Sequence, residues 1–297
     1  MLDFTPITLA DRETMSALLQ KGHRGALEYN FTSNFIWRNI YHLHKAQMDG
    51  FLVVRAGEGA DISYIFPSGD GDVKPIIDAL IARHKQLGTP LLFNTVLNQD
   101  KETLEALYPG QFEFTSLRDA YDYVYSAESL RTLTGKKLAA KRNHINRFVE
   151  NNPDWAYEPI TLDNLADVRE MSREWCRIAG CRDNEELYDE SCAVEQAFKN
   201  YEALGLEGGL IRMDGRIVAF AMGEPLNEET YVVHIEKAFY DIQGAYQIIN
   251  REFARHRTEN FVYINREDDT GDEGLRKAKL SYNPAFLVEK SSARWKG

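Results

Sequence analysis

The sequence predicts a two-domain α/β protein (α+β in its detail), each domain a mixed central sheet flanked by helices. Three observations lead there. After an opening pair of β-type runs, strand-like and helix-like segments alternate through each half of the 297 residues, the pattern of sheets covered by helices. Asp214-Gly215 stands between Leu210-Ile-Arg-Met213 and Arg216-Ile-Val-Ala-Phe-Ala-Met222, a two-residue hairpin signal. Short echoes also recur in the same order in both halves: Met48-Asp-Gly-Phe-Leu-Val53 with Met213-Asp-Gly-Arg-Ile-Val218, Ala82-Arg-His84 with Ala254-Arg-His256, and Asn94 with Asn265. They predict a tandem duplication, divided into residues 1–130 and 131–297, where a β-rich run gives way to a basic helix.

Taken in order, residues 11–22 and 26–44 read as helices. The second carries Tyr29, Phe31, Phe35, Trp37 and Tyr41, a stripe best explained by core packing. Strands follow at 51–55 and 62–66, parted by Gly57 and Gly59. Next come a helix over 73–87, a strand at 91–94, a helix near 99–107 and one strand-like run over 111–125. Leu165, Val168, Met171, Trp175 and Ile178 fall three or four apart, which predicts an amphipathic helix over 163–179. A further helix spans about 184–203. After the hairpin, the pattern gives strands at 230–235, 261–264 and 285–289, with helices over 244–257 and from about 271.

Hydrophobic residues make up 43% and charged residues 27%, the profile of an ordinary globular chain. No apolar run approaches the roughly 20 residues needed to span a bilayer, so no integral membrane segment is expected. Met1-Leu-Asp-Phe-Thr-Pro6 has neither a basic nor an apolar leader region, so a cytoplasmic location is expected. Cys176, Cys181 and Cys192 lack metal-type spacing and are expected as reduced structural thiols. With 46 acidic against 35 basic residues the net charge is −11. That excludes a protein whose whole surface grips nucleic acid or anionic lipid, although not a local basic patch.

Such a patch exists. Between Gly135 and Arg147 stand Lys136, Lys137, Lys141 and Arg142, with Asn143 and His144 beside them. This density fits an anion-binding helix for the phosphates of a donor; a solvated helix face paired with the many acids is the bland alternative. The richer stretch runs from His234 to Pro284. His234 and Glu236 alternate with Val233 and Ile235, so they share a face of one strand and could form a proton-transfer pair in a cleft, or simply line an exposed sheet face. Gly244 opens a helix, where the backbone could approach a ligand and free N–H groups favour an anion. An ordinary strand-to-helix turn would look the same.

Asn265, Arg266 and Glu267 end the next strand, where open α/β sheets place ligands. Thr270-Gly-Asp-Glu273 reads as a capping box, which explains the neighbouring acids but not Arg266 or Glu267. Arg276 and Lys279 fall one turn apart, with Tyr282 beyond; they could clamp a carboxylate or phosphate, or balance the acidic cap. No Gly-x-Ser-x-Gly elbow, P-loop or His-Glu-x-x-His occurs, and nothing calls for a metal. What remains is direct transfer between bound substrates, driven by orientation and electrostatics.

The pattern His234-x-Glu236-Lys237-Ala238, Gly244-Ala-Tyr246-x-x-Ile-Asn250 and Asn265-Arg266-Glu267 through Leu275-Arg276-x-x-Lys279-x-Ser-Tyr282-x-Pro284 resembles a bacterial family. That family is related to the C-terminal catalytic domain of phosphatidylglycerol lysyltransferase. Gly135-Lys-Lys137 and Lys141-Arg-Asn-His-Ile-Asn146 match as well; the second half is covered well and the first loosely. The resemblance implies tandem GNAT-like acyltransferase domains, as in the Fem-type aminoacyltransferases. The second domain would be catalytic and its second strand-loop-helix unit would hold the acyl donor. Relatives that modify phosphatidylglycerol take an aminoacyl group from charged tRNA, but this chain lacks their transmembrane region. Acetyl-CoA-binding relatives carry Gln or Arg three residues before the glycine and Gly or Ala two after it. Here Asp241 and Tyr246 stand at those positions. An acid and a bulky ring argue against standard CoA binding, and the equivalent loop of the first half, Ser68-Gly-Asp-Gly-Asp72, is acidic too.

The expected function is therefore acyl or aminoacyl transfer from a charged tRNA or a thioester such as acyl-CoA to an amine or hydroxyl of a small molecule or peptide. Arg266 would contact the transition state, and Glu236 or Glu267 would be the general base, with His234 an alternative. Lys237, Gly244, Tyr246, Asn250, Asn265, Arg276, Lys279 and Tyr282 would bind substrate. Lys136, Lys137, Lys141, Arg142, Asn143 and His144 would hold donor phosphates. Arg266→Ala is expected to abolish transfer with little change in melting temperature. The alternatives are a non-catalytic small-molecule- or tRNA-binding module that keeps the fold, and a tRNA- or membrane-surface adaptor using the basic helix.

Overall fold

Two mixed sheets, each flanked by helices, take up the strand-like runs of the sequence in a computed structural model that describes residues 2–22 and 25–297. One unit comprises the chain up to Asp122 together with Asp268–Gly271 and Val288–Gly297; the other comprises Tyr123–Glu267 and Asp272–Leu287. The boundary expected near residue 130 lies inside the second unit. The last residues belong to the first because their strand completes its sheet.

In chain order the first unit supplies β1 (Thr5–Pro6), α1 (Arg12–Lys21), α2 (Phe31–Trp37), β2 (His44–Met48), β3 (Phe51–Ala56), β4 (Ser63–Ile65) and β5 (Ser68–Gly69). It continues with α3 (Lys74–Leu87), β6 (Leu92–Val96), α4 (Asn98–Leu107) and β7 (Phe112–Ser116). The second unit's sheet begins with β8 (Asp122–Ser126), followed by α5 (Ala127–Thr132), α6 (Ala139–Asn151), β9 (Ala156–Pro159), α7 (Leu165–Ala179) and α8 (Glu185–Lys199). Then come β10 (Glu207–Met213), β11 (Arg216–Pro225), β12 (Thr230–Ala238), α9 (Ala245–Arg257), β13 (Tyr263–Asn265), α10 (Glu273–Leu280) and β14 (Phe286–Val288). The final strand, β15 (Ser291–Trp295), joins the first sheet.

The first sheet runs β1-β2-β3-β4-β6-β15-β7, with β5 on β3, and only β4 and β6 pair in parallel. Its core packs Phe51, Val53, Tyr64 and Phe93 of the sheet against Ile76, Ile77 and Leu80 of α3. The expected helix over 26–44 shortens to α2. His42 takes a left-handed backbone (φ 50°) and the chain turns into β2, which pairs with β3. Their connection, Asp49-Gly50, has positive φ at both residues (50° and 79°), as does Asp214-Gly215 (48° and 76°) between β10 and β11. Both are the mirror-image turns that match the twist of a hairpin. The run over 111–125 is two strands: β7 pairs with β15, a 3-10 turn intervenes at Arg118–Ala120, and β8 pairs with β13.

One buried ion cluster holds the first unit together. Lys290 is fully buried, with Nζ 2.6 Å from Asp122 Oδ1 and 2.8 Å from Glu28 Oε2. Asp122 Oδ2 also accepts the Leu27 N–H at 2.9 Å, and the Thr95 hydroxyl donates to Glu28 at 3.3 Å. Burial opposes the lysine's charge, but the two carboxylates outweigh it and hold its pKa above the ordinary value.

The second sheet runs β14-β8-β13-β12-β11-β10-β9, and from β8 to β9 every pairing is antiparallel except β13 with β12. Central β11 is buried from Ile217 to Glu224, as a strand covered on both faces should be. Helix α7 buries Val168, Met171 and Trp175 as its spacing predicts, whereas Ile178 is exposed because the helix ends at the left-handed Gly180. Across that turn Cys176 and Cys181 form a disulfide, correcting the expectation of reduced thiols; Cys192 is free. No helix among the described residues is long and apolar enough to cross a membrane.

Candidate active site

Strands β12 and β13 pair in parallel only from Thr230 to Val232 and from Tyr263 to Asn265. Beyond that β13 stops while β12 continues to Ala238, and the residues after β13 reach back across the opening. Arg266 Nη2 meets Glu236 Oε1 at 2.9 Å, and Glu267 Oε1 meets His234 Nδ1 at 2.8 Å. This is the carboxyl end of a parallel pair, where α/β sheets leave a crevice.

Glu236 is the hub of the first pair. Its second oxygen accepts the Asn250 side-chain amide at 3.1 Å from α9. The guanidinium of Arg266 lies 5.1 Å from the Tyr282 ring centroid and 5.7 Å from that of Tyr125. Lys141, from α6, places Nζ 4.1 Å from the same Tyr282 ring. Burial, and then the charge of Arg266, push the pKa of Lys141 down. Arg266 keeps a raised pKa although burial opposes it, because Glu236 compensates. Two buried atoms of this cluster, Arg266 Nη1 and Asn250 Oδ1, have no hydrogen-bond partner among the described residues. Such orphaned groups are rare and costly to bury, and a ligand or a water can complete their hydrogen bonding.

The second pair is an ion triad. The register slips between Met222 and Gly223, leaving His234 without a partner on β11. The side chain, 1% exposed, lies between Glu267 and Glu224, whose Oε1 is 3.1 Å from Nε2. Burial alone would lower the imidazole's pKa, but the two carboxylates outweigh it and raise it to about 9. With both ring nitrogens held by carboxylates and the charged form favoured, His234 has no free nitrogen to take a proton, which argues against it as the general base. Its raised pKa means stability that is full below the ordinary value of 6.5 and is lost as pH rises towards about 9. We expect roughly 3 kcal/mol of unfolding free energy to disappear across that window. Urea titrations should show the loss in the wild type and a flat profile in His234→Gln.

Several expected ligand groups are engaged within the fold instead. Glu267 has φ 58° and its N–H donates to Asn265 Oδ1 at 2.7 Å, so Asn265 shapes the turn. Lys279 is buried and donates to the Arg266 carbonyl at 2.6 Å, and its own carbonyl accepts the Tyr125 hydroxyl at 2.8 Å. It cannot clamp an external anion with Arg276 in this arrangement; Arg276 is half-buried on α10. The cap of α10 is Asp272, which accepts the Leu275 N–H at 2.5 Å, rather than Thr270. Lys237 is buried apart from the Glu236 cluster, with Nζ 2.6 Å from Glu190 and 3.9 Å from the Trp175 ring centroid. Tyr246 packs near Tyr240, not in the cluster.

Gly244 has φ 88°, and a Cβ there would lie 2.6 Å from the His144 carbonyl oxygen and 2.9 Å from Phe148 Cβ. The backbone that approaches this glycine is that of α6, which corrects the reading of a ligand approach. The basic helix divides accordingly. Lys136, Lys137 and Asn143 are exposed, whereas Arg142 is spent on the carbonyls of Leu133 and Gly135. Tyr125 and Glu224 were not legible as site residues, because nothing in sequence brings β8 or the end of β11 beside β12.

Residues 20–294 match the family described as phosphatidylglycerol lysyltransferase, C-terminal. The chain belongs to this family. A solved structure of a conserved protein of unknown function from Bacteroides thetaiotaomicron is 43% identical, with a TM-score of 0.95 over all of both chains. The C-terminal domain of a putative lysylphosphatidylglycerol synthetase from Agrobacterium fabrum shares the fold at 13% identity, with a TM-score of 0.70 over 98% of this chain and 93% of that one. A tandem GNAT protein from the clavulanic acid biosynthesis pathway shares it at 9% identity and a TM-score of 0.52, over 99% and 98%. Thus the fold is the tandem GNAT-like one. An uncharacterised protein of Mycoplasmoides gallisepticum is 23% identical over 57% of this chain, and the match spans 54% of that relative's length.

Proposed function

We propose that this member of the phosphatidylglycerol lysyltransferase C-terminal family is an aminoacyltransferase. In this reading it moves an aminoacyl group from charged tRNA to an amine or hydroxyl acceptor, with chemistry at the Glu236–Arg266 cluster. The carrying observation is the pair of orphaned buried atoms, Arg266 Nη1 and Asn250 Oδ1, on either side of Glu236. The acceptor's nucleophile attacks the ester carbonyl and gives its proton to Glu236, which exchanges the Asn250 amide for the new contact. Negative charge on the carbonyl oxygen is met by Arg266 Nη1, a buried donor that needs no reorganisation. The ester bond then breaks and the ribose oxygen leaves with the proton that Glu236 took from the nucleophile, which restores the carboxylate. Lys141, half-buried beside the pair, adds positive charge on the same side. Exposed Lys136 and Lys137 would meet tRNA phosphates.

The packing of α6 against Gly244 supports a donor other than CoA, since the start of α9 is where a pyrophosphate would have to lie. One observation favours the binding-module alternative: both oxygens of Glu236 are already hydrogen-bonded. Single-turnover transfer from radiolabelled lysyl-tRNA separates the two readings. Glu236→Gln should lose at least about a hundredfold in rate while still binding the donor. A wild type that binds charged tRNA without ever deacylating it would leave the module.

A further inference from the structure

We propose that the first unit carries a separate site for a phosphate group, built by Arg55 and Arg83 around Phe4. The register His44–Arg55–Tyr64–Phe93 runs straight across β2, β3, β4 and β6, so these side chains stand in one row on one face of the sheet. That face is covered by α3, whose C-terminal half brings Arg83 and His84 onto the row. The guanidinium carbons of Arg55 and Arg83 lie 5.2 and 5.4 Å from the centroid of the Phe4 ring, which itself packs on Tyr64.

Among the described residues the two arginines have no carboxylate partner. Each has a buried Nε without a hydrogen-bond partner, and neither forms an ion pair among the described residues. Elsewhere this acidic chain supplies carboxylates to buried cations, Glu236 to Arg266, Asp122 to Lys290 and Glu190 to Lys237, and a backbone carbonyl to Lys279. The neighbours of the arginine pair are also fixed in place. Tyr64 and His84 join at 3.0 Å between the hydroxyl and Nε2, and His84 Nδ1 lies 3.0 Å from the Thr89 hydroxyl. Burial, and then the charge of Arg83, hold the His84 pKa down, as expected next to uncompensated cations. Two planar guanidinium forks on a rigid, half-buried platform suit a tetrahedral oxyanion better than a point cation would.

Isothermal titration of the full chain tests this, with inorganic phosphate, a nucleoside monophosphate and acetate as probes at matched ionic strength. The expected result is saturable binding of phosphate with Kd on the order of 1 mM, weaker for acetate, and weakened about tenfold or more in Arg83→Met. Tighter binding of the nucleoside monophosphate than of free phosphate would assign the site to a phosphomonoester; the reverse would assign it to the free ion. Heats indistinguishable from matched sodium chloride, or equal binding of acetate, overturn the proposal and leave an Arg–Phe–Arg stack. If Arg83→Met does not fold, Arg83→Lys keeps the charge without the fork and should still bind phosphate more weakly than the wild type.

Discussion

Arg266→Ala should slow transfer by a factor of about 10²–10³ and, contrary to the expectation from sequence alone, should also weaken the fold. The side chains of Arg266 and Glu236 are each 12% exposed, so removing the cation strands a carboxylate whose remaining hydrogen bond among the described residues comes from Asn250. Breaking a buried pair from one side typically costs about 3–5 kcal/mol. Loss of a donor poised for a developing oxyanion costs about 10²–10³ in rate. The two effects can be told apart. Arg266→Lys keeps the charge but loses the fork, so it should recover much of the stability and little of the activity. A double variant without both charges, Arg266→Met with Glu236→Met, should be more stable than either single variant because no lone charge stays buried. If Arg266→Ala transfers at the wild-type rate, the assignment of Arg266 is wrong.

Lys290→Met should be the most destabilising single change in the first unit. It leaves Asp122 and Glu28 facing each other without the cation between them, at a cost of about 3–5 kcal/mol. The pH dependence gives the mechanism away. Burial raises the Glu28 pKa, Asp122 raises it further, and Lys290 opposes both. A carboxyl whose folded pKa exceeds its unfolded value of 4.5 takes up a proton on folding, so its stability contribution falls as pH rises through the folded pKa. Without Lys290 that window extends upward. Denaturant titrations at about pH 5 and about pH 8 should therefore show a smaller deficit for the variant at the lower pH. An equal deficit at both would mean that the lost packing of the lysine stem, not charge, explains the cost.

Local signals made much of the fold legible. Asp49-Gly50 and Asp214-Gly215 both adopt the left-handed turns that their residues favour. Helix α7 keeps its stripe as far as Gly180, and the strand ending at Asn265 is followed directly by the residues that cross to β12. What was hidden depends on pairing over long sequence separations. Nothing local distinguishes β7 from β8, yet β7 pairs with β15 and β8 with β13. The same holds for charge. In sequence Glu236 shares a strand face with His234, and Arg266 ends a later strand; only the fold pairs Glu236 with Arg266, and only the fold reveals that Lys279 caps a backbone carbonyl and that Lys237 is paired with Glu190. The raised pKa of His234 needs Glu224 as well as Glu267, and a register slip on β11 brings Glu224 within reach of it.

The central claim, an aminoacyl donor rather than CoA, is tested most directly by a competition titration. The purified chain would be titrated with lysyl-tRNA, uncharged tRNA and acetyl-CoA at two salt concentrations. The account predicts that charged tRNA binds more tightly than uncharged tRNA, that both weaken steeply with salt, and that acetyl-CoA displaces neither. Saturable acetyl-CoA binding that expels lysyl-tRNA would contradict it, since the start of α9 would then have to open and release α6 from Gly244.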